Sequence, residues 1–488
     1  MQYANEDQEL LAPSQATPFS MIPIQEKIDA AKQILSAALP NVSSTLGGLL
    51  KDVISLYFIG HLNNQLVFAA AGFGLTWTNA FGTAIIFGFA AGFGTLASQA
   101  YGAKNYRKLG ILYQKILVVM AILLLGICFI LFFTRIELVS LGFEENLATQ
   151  IGYFIRCLLL DLMCCAAFET TRFYLLAQNI FNIPAYVLLI STSIHIIWCH
   201  LFINVMGLEL LGMALARTIT DVTSLSLLLI YIKIKNPCPE SWIAWTNEAL
   251  IDVWKFAKEI ASHGSSIYFE WIAFEISTII IGFLGNVAAL AAHSATLNYM
   301  FANGTLSLGT NISTGIFVGN AAGEGSLEKA QKYSYVGLTV NALILTIQHL
   351  FLILFRSEIA SFYTTEPEVH SIIVTMLTFY IFGMHADLGC NMFAFLLRTL
   401  GQEQFVLKAF LISYYGAGLV VSLFLGVILG YDYNGVWIGL LGGCYLMLGF
   451  TGYRFLNLNW KEEVQKIANI MKKKSSLIEH DVELLNLM

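Results

Sequence analysis

Apolar segments of about 20 residues recur along the whole chain, and each is long enough to cross a bilayer as an α-helix. Only 12% of the 488 residues are charged, whereas roughly a quarter are charged in soluble domains. The sequence therefore predicts an all-α polytopic membrane protein with twelve transmembrane helices. The predicted spans lie near residues 37–60, 66–91, 111–134, 151–177, 185–206, 210–232, 259–284, 288–317, 335–356, 370–397, 406–429 and 434–457.

A polar interval divides the predicted helices into two sets of six. It runs from Lys233 to Lys258 and contains three tryptophans, a pattern that favours an amphipathic helix at the membrane interface. The predicted division is a tail at 1–36, a first lobe at 37–235, a linker at 236–257, a second lobe at 258–457 and a tail at 458–488.

The positions of lysine and arginine predict the orientation in the membrane. If the N-terminus is cytoplasmic, the outer loops hold only Arg135 and Arg356 as basic residues. The positive-inside rule then predicts that both tails are cytoplasmic, in the cell (inner or plasma) membrane. The basic residues are scattered, which excludes a nucleic-acid surface. The eight cysteines have no metal-ligand spacing with histidine, so we expect no metal site.

The two halves resemble each other in their loops. At an offset of 221 residues, the second-to-third loop matches the eighth-to-ninth loop; the matching pairs are Gln99 and Asn320, Gly102 and Gly323, and Lys108 and Lys329. A second similarity, at an offset of 226, relates residues 172–178 to 398–404. Because each half has six spans, corresponding loops face the same side. The halves are therefore predicted to be repeats about an axis along the membrane normal.

Two predicted spans carry acids near the middle of the membrane. Glu270 lies twelve residues after Lys258, and Asp387 lies eleven residues before Arg398. At 1.5 Å per residue, these depths are about 18 Å and about 17 Å. A carboxyl group at this depth is costly unless it faces protein or water, so both are functional candidates. Two such groups at one depth can take up and release protons, as a coupled carrier requires.

Other charged or polar residues within the spans are weaker candidates. Glu275 lies about 140° around the helix from Glu270 and about 7.5 Å further out, so it has a secondary role. Lys51, Asp52 and Asn298 are secondary or substrate-contact candidates, and for Asn298 the alternative is a satisfied contact between helices.

Two arginines within the spans are expected to be neutralised or solvated locally. Arg217 and Asp221 are one helical turn apart and are predicted to neutralise each other. Arg172 is predicted to extend to the membrane interface.

Several fragments, in order, resemble the multidrug and toxic compound extrusion (MATE) family, in particular its animal and plant branch. The resemblance runs from about Pro40 to Trp460. Its most specific fragments are YFIGHL from Tyr57, TLASQAYGAKNYRKLG from Thr95, FEWIAFE from Phe269 and VGNAAGEGSLEKA from Val318, followed by SYYGAGL and NGVWIGLLGG.

The resemblance implies the MATE fold, with two pseudo-twofold-related six-helix lobes around a central cavity. It also implies a monomer that exports small organic compounds, often amphiphilic cations, in exchange for H⁺ or Na⁺, with no other cofactor. Glu270 matches the family's cation-coupling position, Glu275 its second acid, and Asp387 the partner acid. Animal members carry a further Glu where this chain has Leu297, and bacterial members carry an Asp where it has Ser55.

We therefore predict a proton-coupled multidrug antiporter that works by alternating access, and not an enzyme. The alternatives within transport are a Na⁺-coupled exporter and a flippase of a lipid-linked precursor. A flippase would need more fixed positive charge, for which only Lys51 is a candidate. A polytopic membrane transferase would need His and Asp clustered at one membrane face or a sizeable soluble loop. The longest internal loop has only about 25 residues, which disfavours the enzyme.

Overall fold

The computed structural model describes residues 22–62 and 64–471, which are almost entirely helical. The twelve long helices of this part of the chain are α1 (Ile24–Gly60), α2 (Gln65–Gly102), α3 (Tyr106–Phe132), α4 (Glu145–Ala177), α5 (Asn182–Val205), α6 (Glu209–Lys235), α7 (Val253–Phe283), α8 (Val287–Glu324), α9 (Leu327–Tyr363), α10 (Pro367–Thr399), α11 (Glu403–Ile428) and α12 (Asp432–Leu456). Shorter helices span Thr134–Ser140, Pro239–Ser241, Asn247–Leu250 and residues 460–471, the last named α13.

All twelve predicted spans are present as helices. Eleven of them, within the described residues, are long and apolar enough to cross a membrane. The exception is α8, because much of its second half consists of small polar residues that are buried against other helices. These buried residues are Thr305, Ser307, Thr310, Asn311, Ser313 and Thr314. Small residues of this kind let helix backbones approach closely inside a membrane bundle.

The two halves have the same helix neighbours, as the predicted repeat requires. In the first lobe, α4 packs against α2, α3 and α6, and α5 packs against α1 and α6. In the second lobe, α10 packs against α8, α9 and α12, and α11 packs against α7 and α12. Each contact of the first lobe thus recurs six helices later. The chain forms two six-helix lobes related by pseudo-twofold symmetry.

The lobes meet through α1, α2, α7 and α8, and glycines permit the closest approaches. Gly88 on α2 faces Gly264 on α7 so closely that a Cβ atom on Gly264 would overlap the Gly88 backbone. A Cβ on Gly102 would likewise overlap the backbone of Asn320, and one on Gly323 would overlap that of Gln99. Two of the residue pairs matched between the loops therefore form symmetric contacts between the lobes.

These close approaches lie towards one end of the bundle. We call it the tail end; it holds the start of α1, the connections α2–α3, α4–α5, α6–α7, α8–α9 and α10–α11, and α13. A side-chain hydrogen bond from Gln99 Nε2 to the Thr399 carbonyl oxygen (2.9 Å) also joins the lobes there. Further contacts join the starts of α1 and α9, including an ion pair between Lys332 and Glu26 (2.9 Å). The described structure is therefore closed at the tail end.

Three predicted segment boundaries change. Helix α1 begins at Ile24, inside the predicted tail, because its first turns pack against α9 through Ala30, Ile34 and Val336. The linker is not one amphipathic helix, since it contains only two short 3₁₀ helices and α7 begins at Val253. In the second tail, residues 460–471 are helical. Residues 1–21 and 472–488 of the predicted tails lie outside the described residues.

Candidate functional site

Glu270 on α7 and Asp387 on α10 lie in one buried site in the second lobe. Each has only 7% of its surface exposed. Asn391, one turn after Asp387, joins them: its Nδ2 donates to Glu270 Oε1 (2.6 Å) and to the Asp387 backbone oxygen (3.0 Å). In the described part of the chain, neither carboxyl group forms an ion pair. The site therefore combines two acids without a bonded basic group.

Polar and sulfur groups of α10, α11 and α12 surround Asp387. The Tyr414 hydroxyl donates to Asp387 Oδ1 at 3.5 Å and lies 3.6 Å from Cys444 Sγ. Cys390 Sγ donates to the Asp387 backbone oxygen at 3.0 Å. All of these partners are uncharged groups, so Asp387 has no fixed countercharge among the groups bonded to it.

The two secondary candidates of this lobe lie apart from the acid pair. Glu275 is half-buried on α7 and forms no hydrogen bond or ion pair within the described residues. Asn298 is exposed on α8 and donates only to the Ser294 backbone oxygen of its own helix (2.9 Å). The structure therefore brings together Glu270 and Asp387 and leaves Glu275 and Asn298 outside their hydrogen-bond network.

The first lobe contains a buried cluster of five charged residues from α1, α4 and α6. Lys51 Nζ pairs with Asp221 Oδ1 at 2.6 Å. Arg217 pairs with Asp52 through Nη1 and with Asp161 through Nε, the latter at 3.2 Å. Three carboxylates thus face two basic groups, and Asp161 Oδ1 is buried with no hydrogen-bond partner among residues 22–62 and 64–471. We call these residues the first-lobe cluster.

The predicted pairing of Arg217 with Asp221 is wrong. The two residues are one turn apart on α6, but Arg217 bonds to side chains of α1 and α4, and Asp221 bonds to Lys51 of α1. Lys51 is consequently neutralised by Asp221 and is not a free positive charge. Asp52 follows Lys51 in the sequence but pairs with Arg217 of α6.

Arg172 is also placed differently from the prediction. Its side chain does not extend to the interface: it is 3% exposed, and Nη2 donates to Glu169 Oε2 at 2.6 Å. The guanidinium also lies 4.7 Å from the Phe173 ring. Partners within its own helix thus keep Arg172 inside the protein.

Asp161 is a residue that the sequence reasoning did not select, although a signal for it exists. The offset of 226 residues that relates Arg172 to Arg398 also relates Asp161-Leu-Met-Cys to Asp387-Leu-Gly-Cys. Asp161 is therefore the first-lobe equivalent of Asp387. The equivalents differ in their partners: Asp161 pairs with an arginine, whereas Asp387 pairs with none in the part of the chain that the structure describes.

The arrangement supports reversible protonation at Glu270 and Asp387. Two neighbouring carboxyl groups in a site of low polarity resist ionising together, because each negative charge raises the cost of forming the other. In the first-lobe cluster, by contrast, the arginine and the lysine lie within ion-pair distance of the three carboxylates. No group of three or more potential metal ligands occurs among residues 22–62 and 64–471.

Comparison with known proteins identifies the family. The MatE family model matches residues 48–201 and 265–424, once in each lobe. The chain is 28% identical to Protein DETOXIFICATION 17 of Arabidopsis thaliana over 457 residues, covering 92% of this chain and 94% of that protein. It is 25% identical to multidrug and toxin extrusion protein 1 of Oryctolagus cuniculus, covering 89% and 76%.

Solved structures show the same fold. The crystal structure of the eukaryotic MATE transporter AtDTX14 has a TM-score of 0.86 at 21% identity, covering 92% of this chain and 99% of that chain. The Vibrio cholerae MATE transporter VcmN in the bent form has a TM-score of 0.79 at 18% identity, with coverage of 92% and 99%. Because the family model covers more than half of the sequence, in two matches that follow the two lobes, this multi-pass membrane protein belongs to the MatE family of multidrug and toxin extrusion transporters and is not an enzyme.

Proposed function

We propose that this chain exports amphiphilic, often cationic, organic compounds in exchange for protons. The observation that supports this proposal is the buried pair of Glu270 and Asp387, joined by Asn391 and lacking a bonded basic group. An acid pair at membrane depth, with no structural ion pair to keep it charged, is suited to carry an exchangeable proton.

The exchange follows from the electrostatics of the pair. While the site is accessible to the cytoplasm, deprotonation gives it negative charge that attracts a cationic substrate. On the outer side, protonation removes this charge, so the substrate dissociates and the empty protonated carrier returns. We assign the tail end to the cytoplasm from the lysine and arginine distribution. On that assignment, the closed tail end corresponds to an outward-facing state.

An aromatic group beside Glu270 lies at the contact between the two lobes. The Trp271 ring of α7 stacks on Phe87 of α2, with centroids 6.0 Å apart and planes at 15°, and packs edge-on against Phe301 of α8 at 6.3 Å. Flat aromatic surfaces next to an acid suit planar organic cations, through stacking and cation–π attraction. We propose that Trp271 contacts the substrate and links its binding to the acid pair.

Asn391→Leu is expected to lower the efflux rate by about tenfold. The substitution removes the side-chain donor that holds Glu270 beside Asp387, and a hydrogen bond to a charged group contributes about 1.5–3 kcal/mol. The measurement is dye efflux from vesicles at matched protein amounts. The matched control is Asn457→Leu, since Asn457 also donates to a backbone oxygen four residues earlier but contacts no carboxyl group. Equal rates for the two variants would remove Asn391 from the site.

The function is tested with purified protein in vesicles loaded with a fluorescent organic cation. We expect an imposed pH gradient, acidic on the side to which the dye moves, to drive transport in the absence of Na⁺. Transport driven by a Na⁺ gradient and not by a pH gradient would establish the Na⁺-coupled alternative. The flippase alternative has lost its main support, because Lys51 is neutralised by Asp221.

The proposal also covers the oligomeric state of the protein, its membrane and its coupling ion. We propose a monomer in the plasma membrane, with H⁺ as the coupling ion and no further cofactor. The monomer is proposed because the two lobes of one chain pack against each other. The acid site and its aromatic neighbours are therefore complete without a second copy. Mass measurement of the protein in small lipid discs tests the monomer directly.

A further inference from the structure

Helix α13 bridges the two lobes at the tail end. One face of it is buried in the second lobe, where Trp460 and Val464 belong to the same apolar cluster as Phe455. The Trp460 ring lies 5.4 Å from the Phe455 ring of α12 and 6.0 Å from the Tyr335 ring of α9. Gln402, at the start of α11, donates to Glu463 Oε1 at 2.8 Å. The first turns of α13 are therefore fixed to the second lobe.

The other end of α13 contacts the first lobe. Met471 is 3% exposed and belongs to the apolar cluster of the first lobe. The Asn105 side chain, at the start of α3, donates to the Met471 backbone oxygen at 3.2 Å. The Lys108 ammonium lies 2.9 Å from Met471 Sδ. One short helix thus contacts both lobes, at the end where they are closed.

We propose that α13 is a strap that stabilises the state in which the tail end is closed. The glycine contacts between α2 and α8 hold only while the lobe ends touch. When the lobes separate at this end, α3 moves away from α12, and α13 can follow only one of them. Opening therefore requires Met471 to leave the first lobe or Val464 to leave the second. The two attachments are taken to be similar in strength, so the free energy of either one sets how strongly the strap favours the closed state.

The strap works only while both of its attachments are intact. This property distinguishes it from two independent packing contacts. Losing either attachment frees the lobes, so losing the second adds nothing. Met471→Ser and Val464→Ser should therefore each promote opening, and the double variant should open no more than either single variant. Two independent packing defects would instead have additive effects.

The experiment measures the distance between Asn182 at the start of α5 and Lys408 near the start of α11. Both are exposed, related by the offset of 226 residues, and distinct from the residues that contact α13. The spin labels are attached to genetically encoded non-natural amino acids at these two positions, so the eight native cysteines stay unchanged. The full chain is studied in lipid discs without substrate. The control is Ile470→Ser, next to Met471 but 42% exposed.

We expect a predominantly short distance in the parent protein and in the Ile470 variant. Each strap variant should raise the population with the longer distance by about fivefold. The substitution weakens an attachment that exists in the closed state, so it destabilises that state relative to the open one. An unchanged distance distribution in either single variant, or additive changes in the double variant, would overturn the proposal.

The inference uses the proposed function only in requiring that the lobes separate at this end. The distances are measured without a gradient or a substrate, so failure of proton coupling would leave this result unaffected. A melting temperature is recorded for each variant, to show that α1–α12 remain folded when α13 is released. A strap variant that melts like the parent protein and yet shows no change in distance counts against the strap.

Discussion

Glu270→Gln is expected to abolish efflux driven by a pH gradient, with at least a hundredfold loss of rate, while the protein remains folded. Glutamine keeps the size of the side chain and can still bond to Asn391, whose amide lies 2.6 Å from the carboxyl oxygen. It cannot release a proton, however, so the acid pair cannot cycle between its two charge states. The rate is measured in vesicles with a matched amount of protein.

The matched control for this variant is Glu275→Gln. The two glutamates share a helix and a chemistry, but Glu275 is half-buried and has no bonded partner in the described part of the chain. We expect it to lose at most about threefold in rate. Equal losses in the two variants would mean that the effect is not specific to the site that Glu270 shares with Asp387. Full activity in the Glu270 variant would remove Glu270 from the coupling mechanism.

Arg217→Leu is expected to destabilise the protein more than any other single substitution considered. Arg217 bonds to both Asp52 and Asp161, so its loss leaves two carboxylates in the first lobe without their countercharge. Breaking a buried ion pair by removing one partner costs about 3–5 kcal/mol. We expect this loss to lower the melting temperature in detergent by roughly 3–5 °C.

The same mechanism predicts a rescue. Adding Asp161→Asn to Arg217→Leu removes one of the uncompensated charges and should restore part of the lost melting temperature. Arg356→Leu is the control, because Arg356 is exposed and its side chain, among the described residues, donates only to the Ile353 backbone oxygen (3.3 Å). If Arg217→Leu melts like this control, the first-lobe cluster is not ionised in the folded protein.

Most of the helical architecture follows from the sequence, because each membrane helix must satisfy its own backbone hydrogen bonds and remain apolar over about 20 residues. The boundaries outside the membrane are less predictable. Helix α1 extends back to Ile24 through polar residues, since its early turns pack against α9. Contacts between distant helices set this boundary, and the local sequence carries no sign of them.

The site illustrates the same limit. Equal depth was sufficient to predict that Glu270 and Asp387 could meet, because depth can be counted along each helix. The partner of Arg217 could not be obtained in this way, since it depends on which helices are neighbours in the bundle. The helices α1 and α4 supply Asp52 and Asp161, which displace Asp221 from Arg217. Only the internal repeat indicates Asp161, as the equivalent of Asp387.

The central claim is that substrate and proton compete at the pair of Glu270 and Asp387. It is tested most directly by counting the protons released when an organic cation binds to the purified protein in a weakly buffered solution. We predict the release of about one proton per bound cation in the parent protein, and none in Glu270→Gln. Binding without proton release in the parent protein, or equal release in both proteins, would contradict the account.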